Sequence, residues 1–185
     1  MKRLLGLMVG LVAVAGIMGL AYGGTTDSMN IKVTLATDIQ VDITQTEYQF
    51  GTLNGGQTSV SGTGATVTNT STSNREDWKL NLTNPTGSNW TAITEGTPLQ
   101  DQYMLMAQFS DAAPASWTST NHALWTTSAD CSVSKFGNGT YNQCGLDVPK
   151  NNPEDGTRSL WFRITMPSSS AETSERTIPV TVTAV

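Results

Sequence analysis

The sequence predicts an all-β protein, and the predicted architecture is an antiparallel β-sandwich. Apolar and polar residues alternate through several segments, which is the period of a strand with one buried and one solvated face. Turn-forming residues separate these segments at short intervals, as they do in sandwiches. Charged residues make up only 14% of the chain, and after the N-terminal segment no apolar pattern has the helical period.

The clearest strands are at the C-terminal end, Arg158–Met166 and Thr177–Val185. In the first, Leu160 and Ile164 lie on one face of the alternation, and in the second, Val182 does. The segment between them is rich in Ser and Glu, so the two strands are predicted to form a hairpin that closes the domain.

The other strands follow the same alternation. Gln102–Phe109 is apolar on both faces, which predicts a central strand that is covered on both sides. The remaining strands are predicted, in chain order, at Met29–Ala36, Ile39–Ile43, Val60–Thr70, Asp77–Thr83 and Trp90–Ile93.

Residues 1–23 have the pattern of a secretory signal helix. Lys2 and Arg3 precede the apolar run Leu4–Leu20, and cleavage after Ala21 or Gly23 satisfies the small-residue rule. The alternative is a retained membrane anchor, because about 17 apolar residues is the lower limit for a spanning helix. Cleavage predicts a secreted, extracellular or cell-surface protein, periplasmic in a Gram-negative host, with no membrane contact afterwards.

Residues 24–185 are predicted to form a single domain. At 185 residues in total, the chain suffices for one well-buried core rather than two. Ser110–Asn152 is rich in Asn, Ser and Gly and is predicted to be a loop-rich insertion. A loop region of this length is usually functional or held by a disulfide.

The net charge is −5 at pH 7, with 15 acidic and 10 basic residues. Nucleic acids and anionic membranes are bound through clusters of Lys and Arg, so this composition argues against both partners. No cofactor is indicated by any motif.

The chain has two cysteines, Cys131 and Cys144, both in the loop-rich insertion. In an exported protein they are expected to form a disulfide. It would close a loop of about 14 residues and contribute about 3 kcal/mol. Two Cys and one His cannot supply four N/S ligands to zinc, so no metal site is predicted.

Exposed aromatic side chains on a sandwich can stack on sugar rings. Trp117, Trp125 and Tyr141 lie in the loop-rich insertion and are the candidate ligand-contact residues. Trp78 and Trp161 lie within predicted strands and are expected to pack in the core instead.

The sequence indicates no enzyme and no catalytic residue. His122 is the only histidine, and no Gly-x-Ser-x-Gly turn accompanies it. The carboxylates that could form an acid–base pair, namely Glu76, Asp77, Asp130, Glu154 and Asp155, lie in polar segments and are expected to be solvated.

The order of several elements is similar to a known class of proteins. An aromatic-x-Phe-Gly-x-Leu-x-x-Gly element at Tyr48–Gly56 precedes a Thr-rich strand and a Trp strand, and Ile178–Ala184 closes the chain. This resembles secreted bacterial Ig-like sandwiches, including spore-coat-U-like and pilin-like surface subunits. The chain departs from the spore-coat-U-like pattern in having no Cys in its early strands. The resemblance implies an Ig-like sandwich and an exported surface or appendage module.

Two functions from different classes are compatible with these features. The first is a non-enzymatic structural or adhesive surface module that assembles with itself or other surface proteins by edge-strand addition, with Met29–Ala36 as the exchanged strand. The alternative is a carbohydrate-binding module that contacts glycans through Trp117 and Trp125.

Overall fold

The structure is a computed structural model that describes residues 38–72, 74–150 and 155–185. The predicted signal at 1–23 and the predicted strand Met29–Ala36 lie outside these residues. The described residues belong to one compact unit.

The described part of the chain is almost entirely β-structure. Its helical elements are one short helix, α1 (Ser119–His122), and one 3₁₀ turn (Tyr141–Gln143). No helix in the described ranges has the length and apolar character needed to cross a membrane. The nine strands are β1 (Val41–Ile43), β2 (Thr58–Val60), β3 (Ala65–Asn69), β4 (Trp78–Leu82), β5 (Thr91–Ala92), β6 (Gln102–Phe109), β7 (Ala129–Asp130), β8 (Thr157–Thr165) and β9 (Val180–Ala184).

The strands form two sheets. The larger, six-stranded sheet has the order β1-β3-β8-β6-β5, and β2 pairs with β8 beyond the end of β3. The smaller, three-stranded sheet has the order β7-β4-β9. Every pairing is antiparallel except that of β5 with β6, which is parallel. The all-β prediction is therefore confirmed, and the two sheets fit a β-sandwich.

One core lies between the sheets, and it follows the alternation of the strands. On β4 every second residue is fully buried, and on β6 the inward residues Tyr103, Leu105, Ala107 and Phe109 are buried in the same way. Burying one large apolar side chain contributes about 1.5–3 kcal/mol, so the inward residues of these two strands supply a large part of the core. The buried set shared by both sheets includes Val67, Trp78, Leu80, Leu82, Leu124, Phe136, Val148, Leu160, Ile164 and Val182.

The outer face of β6 is covered as well, as its composition predicts. Met104 and Met106 are buried there with Ala123, and Ile93 and Trp117 pack against them. The segment around α1 provides this cover, which places part of the loop-rich insertion over the larger sheet.

The predicted C-terminal hairpin is wrong. β8 belongs to the larger sheet and β9 to the smaller one, so the linker Pro167–Arg176 crosses between the sheets. Hydrogen bonds tie this linker to neighbouring loops, with Ser168 N donating to Leu99 O at 3.2 Å and Trp90 Nε1 donating to Ser170 Oγ at 3.1 Å. A polar linker with its own partners does not have to turn back on the preceding strand.

Candidate functional site

The outer side of β9 carries main-chain groups that no described strand pairs with. β9 is the terminal strand of the smaller sheet, and β4 is its partner. Asp77 and Val185 exchange two backbone hydrogen bonds, of 2.9 and 3.2 Å. Because hydrogen-bonded and outward-facing residues alternate along an antiparallel pair, the N–H and C=O groups of Val180, Val182 and Ala184 point away from β4. Within the described chain, β9 is an open sheet edge.

The side chains of the same three residues face the core. Val182 is buried, and Val180 and Ala184 are half-buried against the core cluster, whereas Thr181 and Thr183 are exposed. A strand added beside β9 would place every second residue over this apolar face.

The described chain begins next to the C-terminal end of this edge. Asp38 accepts hydrogen bonds from Thr72 N and Oγ1 at 3.1 and 2.8 Å, and Gln40 N donates to Glu76 Oε1 at 2.6 Å. Glu76 adjoins the residue that pairs with Val185, and β1 contacts β9. The described chain therefore begins close to β9.

Glu76 is buried, which corrects the expectation of a solvated carboxylate. Its side chain is 1% exposed and accepts hydrogen bonds from Gln40 N and, at 3.2 Å, from Trp78 Nε1. Its backbone pairs with that of Val148. Glu76 thus joins the start of the described chain to the core, and both of its side-chain partners are neutral donors.

Two of the other predicted acid–base carboxylates, Asp77 and Asp130, each have a partner within the protein. Asp130 forms an exposed ion pair with Lys79 at 3.1 Å, and Asp77 accepts a hydrogen bond from Asp147 N. Glu154 lies outside the described residues. Among those that are described, no three His, Cys, Asp or Glu side chains form a group that could hold a metal ion.

The three predicted ligand-contact residues have different surroundings in the structure. Trp117 is half-buried over Met104 and Met106, and its buried Nε1 has no hydrogen-bond partner in the described part of the chain. Trp117 therefore packs against the larger sheet.

Tyr141 belongs to a small polar cluster elsewhere on the surface. Its hydroxyl donates to Asp147, which is also paired with Arg75. These partners lower the pKa of Asp147, and the hydrogen bond to Asp147 raises the pKa of Tyr141. The Tyr141 ring is exposed, but its hydroxyl is already engaged by the protein.

Trp125 alone combines an exposed ring with a cleft. Its side chain is 43% exposed and lines an open cleft of about 280 Å³. We call this the Trp125 cleft. Its other polar lining residues are Thr94, Glu95, Ser119, Thr120 and Lys135.

His122 is buried, and both of its ring nitrogens are hydrogen-bonded to the backbone. Thr118 N donates to its Nδ1 at 3.0 Å, so the ring proton lies on Nε2, which donates to Gly137 O at 3.3 Å. The imidazole thus holds α1 against the 135–137 loop. Burial lowers its pKa below the ordinary value, and the charge of Lys135 lowers it further.

The lowered pKa makes the domain acid-sensitive. The unfolded chain takes up the His122 proton near pH 6.5, whereas the folded protein does so only at lower pH, so the stabilisation is complete above pH 6.5 and is lost as the pH falls. We expect the urea midpoint to be lower at pH 5 than at pH 7.5. In the His122→Gln variant, most of this difference between the urea midpoints at pH 5 and pH 7.5 should disappear. A variant that shows the same difference as the unaltered chain would contradict the role given to His122.

Cys131 and Cys144 are free, buried thiols in the structure, so the expected disulfide is not formed there. Both ends of the loop between them are hydrogen-bonded to the backbone of Trp78. Cys131 N donates to Trp78 O at 2.8 Å, and Trp78 N donates to Gly145 O at 2.7 Å. A Cβ on Gly145 would lie 3.1 Å from both Cβ and Sγ of Cys131. Burial raises the pKa of both thiols. The two cysteines therefore converge at one point of β4.

Comparison of the chain with protein-family models, with curated proteins and with solved structures found no match. The resemblance to spore-coat-U-like and pilin-like subunits stays a prediction from the residues at Tyr48–Gly56 and in the terminal strands.

Proposed function

We propose that this protein is a non-enzymatic, exported structural module with an Ig-like sandwich fold that assembles by β-strand addition at β9. The observation that carries the proposal is the open edge of β9 above an apolar inner face. Unpaired edges recruit further strands because each added residue satisfies main-chain groups on both chains.

The proposed occupant is Met29–Ala36 of a second copy. Its Ile31, Val33 and Leu35 have the period of two that continues the inward positions of β9. The segment is about 26 Å long when extended, which exceeds the roughly 17 Å of β9. A strand exchanged between copies makes the same contacts as one paired within a copy, so exchange costs little. Repeated exchange in one direction would build a fibre.

Two variants, each of which lacks one half of the proposed interface, test this proposal. A chain without residues 29–36 keeps the β9 edge but has no strand to donate. The Ala184→Pro variant keeps its strand, but it lacks the outward N–H at position 184 and carries a ring that blocks the edge. We expect each copy alone to be monomeric and an equimolar mixture to form a heterodimer, measured by size-exclusion chromatography with light scattering.

Ala184→Ser is the matched control, since it retains the N–H and should assemble as the unaltered chain does. Oligomers that survive both changes would place assembly on another surface and overturn the proposal. So would a monomeric unaltered chain whose mixture also stays monomeric, because Met29–Ala36 would then serve its own copy or none.

We further propose that residues 1–23 export the chain, to the cell surface, the extracellular space or a periplasm. Lys2, Arg3 and the apolar run Leu4–Leu20 support this. In that compartment, Cys131 and Cys144 would be joined, a step supported by their convergence at Trp78.

A further inference from the structure

We propose that the Trp125 cleft binds a neutral oligosaccharide, with one pyranose ring stacked on the Trp125 indole. This site is distinct from the β9 edge and does not depend on assembly. It combines Trp125, one of the two tryptophans predicted to contact sugars, with polar residues of the 94–95 and 119–120 segments.

The Trp125 indole is exposed on a rigid support. Leu82 N donates to Trp125 O at 2.9 Å, and Leu124 N donates to Leu105 O at 2.9 Å, so the 124–125 segment is bonded to both sheets. Leu124 is fully buried. A fixed aromatic face can pack against the C–H face of a sugar ring with little loss of entropy on binding.

The polar groups around the indole are free to receive a ligand. The side chains of Thr94, Glu95, Ser119 and Thr120 make no hydrogen bond within the described residues. They offer three hydroxyls and a carboxylate, which can donate to or accept from sugar hydroxyls. A pyranose has an apolar C–H face and a rim of polar hydroxyls. The exposed indole would contact the first, and the surrounding hydrogen-bonding groups would contact the second.

The wall opposite the 94–95 loop is held in place. Lys135 Nζ donates to Thr120 O at 3.1 Å and lies 4.7 Å from the centroid of the Phe136 ring. Phe136 N donates to Asn121 O at 3.0 Å, and His122 joins the same two segments. These bonds hold the 119–122 and 135–137 segments of the cleft together without a ligand.

Charge and size narrow the ligand class. Glu95 and Lys135 contribute one negative and one positive charge to the lining, which favours a neutral ligand over an acidic sugar. The volume of about 280 Å³ lies at the lower limit of small-molecule sites, so the cleft has room for one terminal or internal sugar ring.

Titration with three neutral probes tests the proposal: chitohexaose, cellohexaose and maltohexaose, each added to the chain from Gly24 to Val185 and followed by calorimetry and tryptophan fluorescence. We expect at least one to bind. Trp125→Ala should weaken that binding by at least about tenfold, the loss typical of an aromatic anchor. Trp125→Tyr should retain most of it, since a flat aromatic face remains.

Tyr141→Ala is the matched control, because it removes an exposed aromatic ring outside the cleft. This variant should bind the oligosaccharide with the same affinity as the unaltered chain. Circular dichroism and urea unfolding would show that all variants are folded. The proposal is overturned if none of the three probes binds at millimolar concentration, or if Trp125→Ala binds as tightly as the unaltered chain.

Discussion

Replacing Trp78 with alanine is expected to destabilise the domain by about 3–5 kcal/mol, the cost of removing a large aromatic side chain from a core. Its ring is fully buried and lies 5.5 Å from that of Phe109 on the opposite sheet. Its Nε1–H is also one of the two donors to the buried carboxylate of Glu76. Since whole domains are stable by about 5–15 kcal/mol, much of the margin would be lost.

Urea unfolding followed by circular dichroism measures this effect. Trp125→Ala is the matched control, because it removes the same side chain from an exposed position and should cost about 0.5 kcal/mol or less. Trp78→Phe should fall between the two, since it keeps an aromatic ring but loses the bond to Glu76. Equal stabilities for Trp78→Ala and Trp125→Ala would contradict the packing described for the core.

Strand positions were largely predictable from local alternation. Gln102–Phe109 was predicted with its observed bounds, and Trp78–Leu82 lies within the predicted Asp77–Thr83. The Val60–Thr70 segment divides instead into β2 and β3, which adjoin different parts of β8. Alternation marks the residues that face a core, but it carries no information on which strand lies beside which.

Pairing was therefore the weaker part of the prediction. β8 and β9 have the pattern of a hairpin, yet each pairs in a different sheet. The parallel contact of β5 with β6 also had no local signal, because it brings Thr91 beside Gln102 at the end of an irregular loop. Such pairings depend on how the whole chain packs and not on the local sequence.

The burial of Glu76 could have been predicted from the alternation of β4. It lies two residues before Trp78, on the inward side of the same alternation as Leu80 and Leu82. Its charge favoured a solvated position, whereas its register required burial. Trp161 is the opposite case, since its register places it on the outer face of β8, where it is half-buried and donates to Ser110 O at 2.9 Å.

The candidate sites were predictable only in part. The loop-rich insertion was expected to carry exposed aromatics, and Trp125 is exposed. Trp117 has the same residue type and a similar sequence environment but covers Met104 and Met106. Only the tertiary structure distinguishes them, because both lie in irregular segments without a period. The β9 edge likewise could not be located before the order of strands was known.

Oxidation of Cys131 and Cys144 is the second large effect that we expect. If the chain is exported as proposed, the disulfide of a thiol oxidoreductase in that compartment would accept two electrons and two protons from the pair, forming the bond and leaving the oxidoreductase reduced. Closing a loop of about 14 residues should add about 3 kcal/mol, or roughly 6–12 °C in Tm for a domain of this size. Mass spectrometry of the exported chain should show a loss of two hydrogen atoms.

The buried position of both thiols makes the order of events testable. Because burial raises their pKa, little reactive thiolate forms in the folded, reduced protein, and the bond should form during folding rather than after it. Folded, reduced protein should therefore react slowly with a thiol reagent and rapidly once urea is added. The Cys131→Ala, Cys144→Ala double variant should lack the added Tm of the oxidised chain, and its Tm should not change when a reductant is added. Two free thiols in the exported chain would show that the convergence at Trp78 serves packing alone.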